Sequence, residues 1–271
     1  PHPHHLPQRA QTHRMSAEEQ PEELGGEAPL LSHLIELRTR LLRMVAVILV
    51  LFVAMAPFAN QLFTLVAEPL MAKLPEGTSM IATQVASPFL TPFKMAMVGA
   101  IFLAMPWVLY QAWAFIAPGL YQQEKRFAIP MLISSIILFY AGVAFAYFVV
   151  FPLMFGFFTA VAPEGVEVMT DINSYLNFVI ALFFAFGMAF EVPIATVLVV
   201  WAGITTPEAL GKKRAYVLIG AFVLGMLLTP PDIISQTLLA VPVYILYEAG
   251  IVMARILVPD SKQVEEQQAE G

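Results

Sequence analysis

Apolar runs set apart by short polar breaks organise this chain. A helix needs about 20 apolar residues to cross a hydrocarbon core roughly 30 Å thick. Runs at 41–59, 93–116, 127–151, 176–202 and 238–258 meet or approach that length, and the third stays apolar to residue 161. A further run at 215–228 would reach only about 21 Å as a helix. Lys212, Lys213 and Arg214 bound it on one side, and Thr229-Pro230-Pro231-Asp232 bounds it on the other. Arg255 lies near the end of the last run, which points to a short sixth helix as well. The pattern therefore predicts an all-α membrane protein with six transmembrane helices, of which helices 5 and 6 are short. Flanking residues such as Ile233 and Ile234 could cover the mismatch, or the bilayer could thin around it. The pattern leaves both open.

Two longer connections interrupt the runs. Residues 60–88 contain an apolar stretch, 62–74, broken by Pro69, and residues 152–175 mix apolar residues with Pro and Gly. Neither can span, so both are expected to form short helices that cap the bundle at the interface. No internal repeat is visible, which weighs against an inverted-repeat transporter.

Charge supplies the orientation. Arg38, Arg40 and Arg43 precede the first span, Lys125 and Arg126 sit between the second and third, and Lys212, Lys213 and Arg214 sit between the fourth and fifth. With Arg9, Arg14, Arg255 and Lys262, these place 12 of the 14 basic residues on one side. Lys73 and Lys94 lie opposite, among Glu68, Glu76, Glu164, Glu167, Asp171 and Asp232. Basic residues stay in the cytoplasm, so both termini are expected there.

Composition agrees with this reading. The chain has 271 residues, 59% hydrophobic and 13% charged, where a soluble domain carries about 25% charged residues. The net charge of −6 comes mainly from the ends and gives no reason to expect nucleic acid as a partner. Cysteine is absent, which excludes disulfides and thiolate chemistry. His2, His4, His5 and His13 fall in a Pro-rich leading segment, and no metal site is expected there. Residues 1–28 are expected to be a disordered tail, with 1–14 an extension outside the fold. Residues 29–258 form the six-helix membrane domain, and 259–271 a disordered cytoplasmic tail.

The inventory of chemistry is short. There is no HExxH, GxSxG, P-loop or dinucleotide fingerprint, and no aspartate lies in mid-span, so no enzyme activity and no cofactor are expected. A small set of carboxylates remains. Glu191, in FGMAFEVPIA, falls near the middle of the fourth run, where a charge costs about 2.5–3.5 kcal/mol on insertion scales. It reads either as a hydrogen-bonded structural residue or as a polar residue facing a wet cavity. Pro193 lacks an amide donor and frees a carbonyl one turn back. Glu248, with Arg255 two turns further along, reads as structural. Glu36 in HLIELRTRLL has Arg40 one turn ahead as an ordinary ion-pair partner. Glu124 in YQQEKR reads as a solvated loop charge. Trp107, Tyr110, Trp113 and Tyr121 fit an interfacial aromatic belt.

The segments HLIELRTRLLR, MIATQVASPFLTPFK, YQAWAFIAPGLYQQEKR, FAYFVVFPLMFGF, FEVPIA and GMLLTPPDIISQTLLAVPVY together resemble the TatC family of twin-arginine translocases. The resemblance covers residues 29–258. It implies a glove-shaped six-helix bundle with both termini cytoplasmic, in the bacterial cytoplasmic (inner) membrane. It implies a receptor for signal peptides with paired arginines, which exports folded proteins using the proton-motive force. Implied partners are the single-span TatB and TatA subunits, membrane lipid and further copies of the receptor. Glu36 and Glu124 match the family's twin-arginine contacts, and Arg38 and Phe115 match neighbouring positions of that site. Glu191 matches the polar residue of the concave face. Pro69, Asp232 and Gln236 match functionally sensitive extracytoplasmic positions, and Met226 and Leu227 the partner-helix contact. The competing reading is an ion-coupled solute transporter with Glu191 as its proton site.

Overall fold

The structure is a computed structural model that describes residues 27–116, 118, 125–229 and 231–258. The two expected tails fall almost wholly outside the described residues, as does Glu124. The chain divides into two units, residues 1–43 and 44–271.

The first unit contains most of helix α1 (Glu27–Met55). Its hydroxyls turn inward on the helix's own backbone: Ser32 Oγ donates to the Pro29 carbonyl at 2.8 Å and Thr39 Oγ1 to the Ile35 carbonyl at 2.9 Å. Bonds of this kind satisfy the hydroxyl within its own helix.

In the second unit a 3-10 turn, Ala56–Phe58, leads into α2 (Ala59–Met71). Then come α3 (Ser87–Ile116) and α4 (Lys125–Phe145). A π-helical stretch, Ala146–Val150, joins α4 to α5 (Phe151–Val161). Next are α6 (Ile172–Ala189), α7 (Val192–Trp201), the short α8 (Pro207–Lys212), α9 (Arg214–Leu228) and α10 (Ile233–Leu257). Among the described residues the helical runs Pro29–Met71, Ser87–Ile116, Arg126–Val161, Ile172–Trp201 and Ile233–Leu257 are long and apolar enough to cross a membrane. α9 is apolar but has only 15 residues, about 22 Å.

The structure corrects three expectations. The fourth span is not one helix. It breaks at Phe190 and Glu191, where the Glu191 amide bonds Met188 in a tight turn before α7 restarts with Ala195 bonding Glu191. Pro193 is the cause, since it cannot donate to the turn before it. Pro69, expected to break the 62–74 stretch, instead sits inside α2. The sixth helix is not short: α10 has 25 residues, because it begins at Ile233 rather than near Leu238 and continues past Arg255.

Two buried clusters hold the second unit together. One joins α5 and α6 through Phe151, Met154, Phe155, Leu176, Leu182, Phe183 and Phe186. Edge-on aromatic contacts extend it to α3, with Phe102 5.7 Å from Phe183 at 85°. The other gathers Trp113, Ala128, Met131, Ile194, Val197 and Ala254. With no gain from burying apolar surface out of lipid, helices here associate through close packing over small residues. At Gly250 of α10 a Cβ would lie 2.8 Å from Thr196 Oγ1 and 3.0 Å from Pro193 Cα, so the glycine lets α10 press against the start of α7. A valine there must displace proline backbone. Gly250→Val is expected to lower stability by about 1–3 kcal/mol, whereas Gly220→Ala, with nothing within 4 Å of its added Cβ, should stay within about 0.5 kcal/mol. Denaturant titration of the purified protein in micelles measures both, and equal effects would rule out the close crossing as the reason for Gly250.

Candidate functional site

Glu36 lies on α1 within the first unit. Arg40 donates to its Oε1 through both Nε at 2.9 Å and Nη2 at 2.7 Å. One helical turn separates them, so this is the pair that spacing alone anticipates. The Glu36 side chain keeps 43% of its exposure while Arg40 keeps 19%, so the carboxylate remains accessible. Arg38 is exposed on the same helix. Phe115 is half-buried near the end of α3. Glu124 lies outside the described residues.

Glu191 occupies the break between α6 and α7 and is half-buried. Ser135, fully buried on α4, donates its hydroxyl to Glu191 Oε2 at 2.5 Å. The other oxygen, Oε1, is buried with no partner among the described residues. The structure thus provides the hydrogen bond that a structural reading requires for one oxygen only. Ser135 lies 56 positions away, and nothing in its local pattern marks it.

Asp232, Gln236, Met226 and Leu227 come together at the turn between α9 and α10. Asp232 caps α10 by accepting from the Ser235 amide at 2.7 Å. Its Oδ2, and Ser235 Oγ, are buried without a partner among the described residues. Gln236 sits against Gly225, whose added Cβ would lie 3.4 Å from Gln236 Cα. Met226 and Leu227 are 53% and 80% exposed on the outer side of this hairpin. At the other end of α9, Arg214 forms a two-pronged ion pair with Glu248 of α10. The sequence offered Arg255 as the partner of Glu248, but the hairpin brings Arg214 to it instead. α10 continues about two and a half turns beyond that pair.

Pro69 is buried in α2, beside Val66 and Leu70 of the larger cluster. The two interfacial connections meet in a clasp built on Asp171. Asp171 caps α6 and accepts from Ser174 N and Oγ, each at 3.0 Å. Its second oxygen accepts from Thr83 N at 3.0 Å and Thr83 Oγ1 at 2.8 Å. A backbone bridge runs beside it, with the Ile81 amide on the Thr170 carbonyl at 3.0 Å and the Ile172 amide on the Ile81 carbonyl at 2.9 Å. The amides of Thr83 and then Ser174, followed by their hydroxyls, hold the Asp171 carboxyl down at about 2. An aspartate with serine three residues on, ahead of an apolar run, is a helix-start signal that would have found the cap. The bond to Thr83 carries no such signal. Among the described residues no group of three His, Asp or Glu side chains could hold a metal ion.

Residues 32–242 match the family model described as Sec-independent protein translocase protein (TatC). The chain belongs to the TatC family. It is 58% identical to the Sec-independent protein translocase protein TatC of Escherichia coli K12, over 88% of this chain and 92% of that protein. The corresponding protein of Azotobacter chroococcum is 61% identical, over 83% and 88%. Among solved structures, a crystal structure of the twin arginine translocase receptor TatC is similar at a TM-score of 0.74 and 36% identity, covering 83% of this chain and 98% of that one. This family member is therefore a multi-pass membrane protein and a subunit of a protein translocase. The all-helical expectation holds, and the solute-transporter reading finds no support.

The clasp has a pH dependence with a definite sign. A carboxyl held near 2 when folded, against about 3.9 in an unfolded chain, adds stability above pH 4. That stability fades as pH falls toward 2. Asp171→Asn should destabilise the protein at pH 6, and the difference from the parent should shrink to nothing as pH falls from 4 to 2. Thermal melts of the detergent-solubilised protein across that range measure it. A pH-independent difference would show that the carboxylate charge plays no part in the clasp.

Proposed function

We propose that this chain is the receptor subunit that reads paired arginines in signal peptides at the cytoplasmic surface and delivers folded cargo, driven by the proton-motive force, across the bacterial inner membrane. The observation that carries the reading is the Glu36–Arg40 pair. Glu36 already accepts a guanidinium through two of its nitrogens. A helical pair one turn apart is worth about 0.3–0.5 kcal/mol and the Glu36 carboxylate stays partly exposed, so an incoming arginine can compete with Arg40 for it. Glu124, next to Lys125 and Arg126 in the sequence, is the second carboxylate of this reading, which also assigns Arg38 and Phe115 to signal-peptide binding. Planar guanidinium groups pair with carboxylates in a two-pronged geometry that lysine does not copy.

In this reading both termini are cytoplasmic, where 12 of the 14 basic residues lie. Single-span TatB and TatA subunits cover the exposed Met226 and Leu227 on the short α9, and copies of the receptor associate. Pro69, Asp232 and Gln236 shape the opposite, extracytoplasmic side. One reconstituted system tests the reading. Glu36→Ala or Glu124→Ala should each weaken capture of a twin-arginine peptide by about 10- to 150-fold without changing membrane insertion. Changing the peptide to Lys-Lys should add little in the double variant, and a photocrosslinker at Met226 should trap a single-span partner. Undiminished capture by the double variant would place the arginine site elsewhere, and crosslinks to lipid alone with partners present would remove α9 as the partner face.

Glu191 serves in this reading as a polar residue of the transport surface, since Oε1 is left for water or a passing chain. Glu191→Gln should insert normally and transport less, and Glu191→Leu should transport less still while remaining folded. Unfolding of Glu191→Leu would make the residue a structural post instead.

A further inference from the structure

Two tyrosines of the third span touch backbone carbonyls of other helices, and each carbonyl stands four residues before a proline. Tyr147 Oη donates to the Leu65 carbonyl at 2.7 Å, and Pro69 lies inside that helix. Tyr140 Oη donates to the Phe102 carbonyl at 2.6 Å, and Pro106 lies inside that one. In an α-helix the carbonyl of residue i accepts from the amide of residue i+4, and proline has no amide proton to give. Leu65 and Phe102 are therefore the two carbonyls that Pro69 and Pro106 deprive. Phe102 lies in a run long enough to cross the membrane, where no water replaces the lost donor, and at Leu65 the tyrosine hydroxyl takes the place the missing amide leaves.

We propose that Tyr140 and Tyr147 are positioning residues that supply, from one helix, the hydrogen bonds withheld by Pro106 and Pro69, and so fix α3 and α2 where proline interrupts their ladders. The tyrosines are seven residues apart, two helical turns, so they sit above one another on one face of the span. Tyr147 falls in the π-helical stretch Ala146–Val150, a wider turn of a kind that recurs at sites of special geometry. A third hydroxyl secures α2 beside the first, where Tyr175 of α6 donates to the Val66 carbonyl at 2.8 Å. The helix that carries Pro69 thereby takes hydrogen bonds from side chains of the third span and of α6 in addition to its own ladder. Glu68, next to Pro69, also faces the Tyr147 hydroxyl, so the test must separate the carbonyl from the carboxylate.

The experiment is a set of double-mutant cycles on the full chain in lipid nanodiscs, read by denaturant titration and by distances between spin labels at Gln61 and Val161. Tyr147→Phe keeps the ring and leaves the Leu65 carbonyl bare. It should weaken folding by about 3- to 20-fold in equilibrium constant and broaden the label distances. Pro69→Ala restores an amide to Leu65, so adding Tyr147→Phe to it should cost little and leave the distances as narrow as in Pro69→Ala alone. Tyr140→Phe should behave the same way with Pro106→Ala. The crossed combinations, Tyr147→Phe with Pro106→Ala and Tyr140→Phe with Pro69→Ala, should be additive. If Tyr147→Phe fails to fold, the same substitution in Pro69→Ala should still fold. Additivity in the matched pairs would overturn the proposal. So would a Tyr147→Phe effect that vanishes in Glu68→Ala rather than in Pro69→Ala.

Discussion

A carbonyl or amide inside a bilayer has no water to bond with, and the whole of this structure answers to that constraint. Unbroken helices satisfy it without help. Proline breaks the ladder from within, and Pro69, Pro92, Pro106, Pro130 and Pro242 all lie inside helices here. Two of the carbonyls so deprived accept tyrosine hydroxyls from a neighbouring helix. At Pro193 the chain takes another route, ending one helix in a tight turn and starting the next. At Pro69 and Pro106 the interrupted ladders are thus tied to side chains of another helix, which makes them part of the packing.

Charge is handled the same way. Glu248 would be costly on the wall of a membrane helix, and Arg214 meets it with two nitrogens. That pair also marks where α9 begins, just after the basic residues Lys212 and Lys213. A short helix bound to a long one leaves an edge that lipid or a neighbouring helix must cover. Glu191 is handled incompletely, with one oxygen bonded to Ser135 and the other buried without a partner among the described residues. Glu36 is handled loosely, by a pair exposed enough to exchange.

The interfacial side shows how two irregular connections become one cap. Neither 72–86 nor 162–171 has a helix of its own, and each alone would leave backbone groups bare. Asp171 gathers an amide and a hydroxyl from Thr83 of the first connection and an amide and a hydroxyl from Ser174 in the first turn of α6. The single bridge between Ile81 and Asp171 completes the join. α2 and α5, which flank these connections, pack through the same buried cluster.

Much of this was legible in the residues themselves. Runs of apolar residues specify membrane helices because crossing lipid demands length and composition more than any particular partner. Basic residues specify orientation for a similarly local reason. The family likeness, and with it Glu36, Glu191 and the α9–α10 turn, was carried by contiguous motifs. Contacts between distant segments were not legible. Ser135 with Glu191, Arg214 with Glu248, Thr83 with Asp171, and the two tyrosines with their bare carbonyls join residues that no spacing rule relates. Two helix limits were misjudged: α10 starts at Ile233, where Asp232 caps it, and α2 runs through Pro69, where Tyr147 donates to the carbonyl the proline leaves bare. Local chemistry determines which segments enter the membrane, whereas pairing of polar groups across helices is decided only when folding brings them within bonding distance.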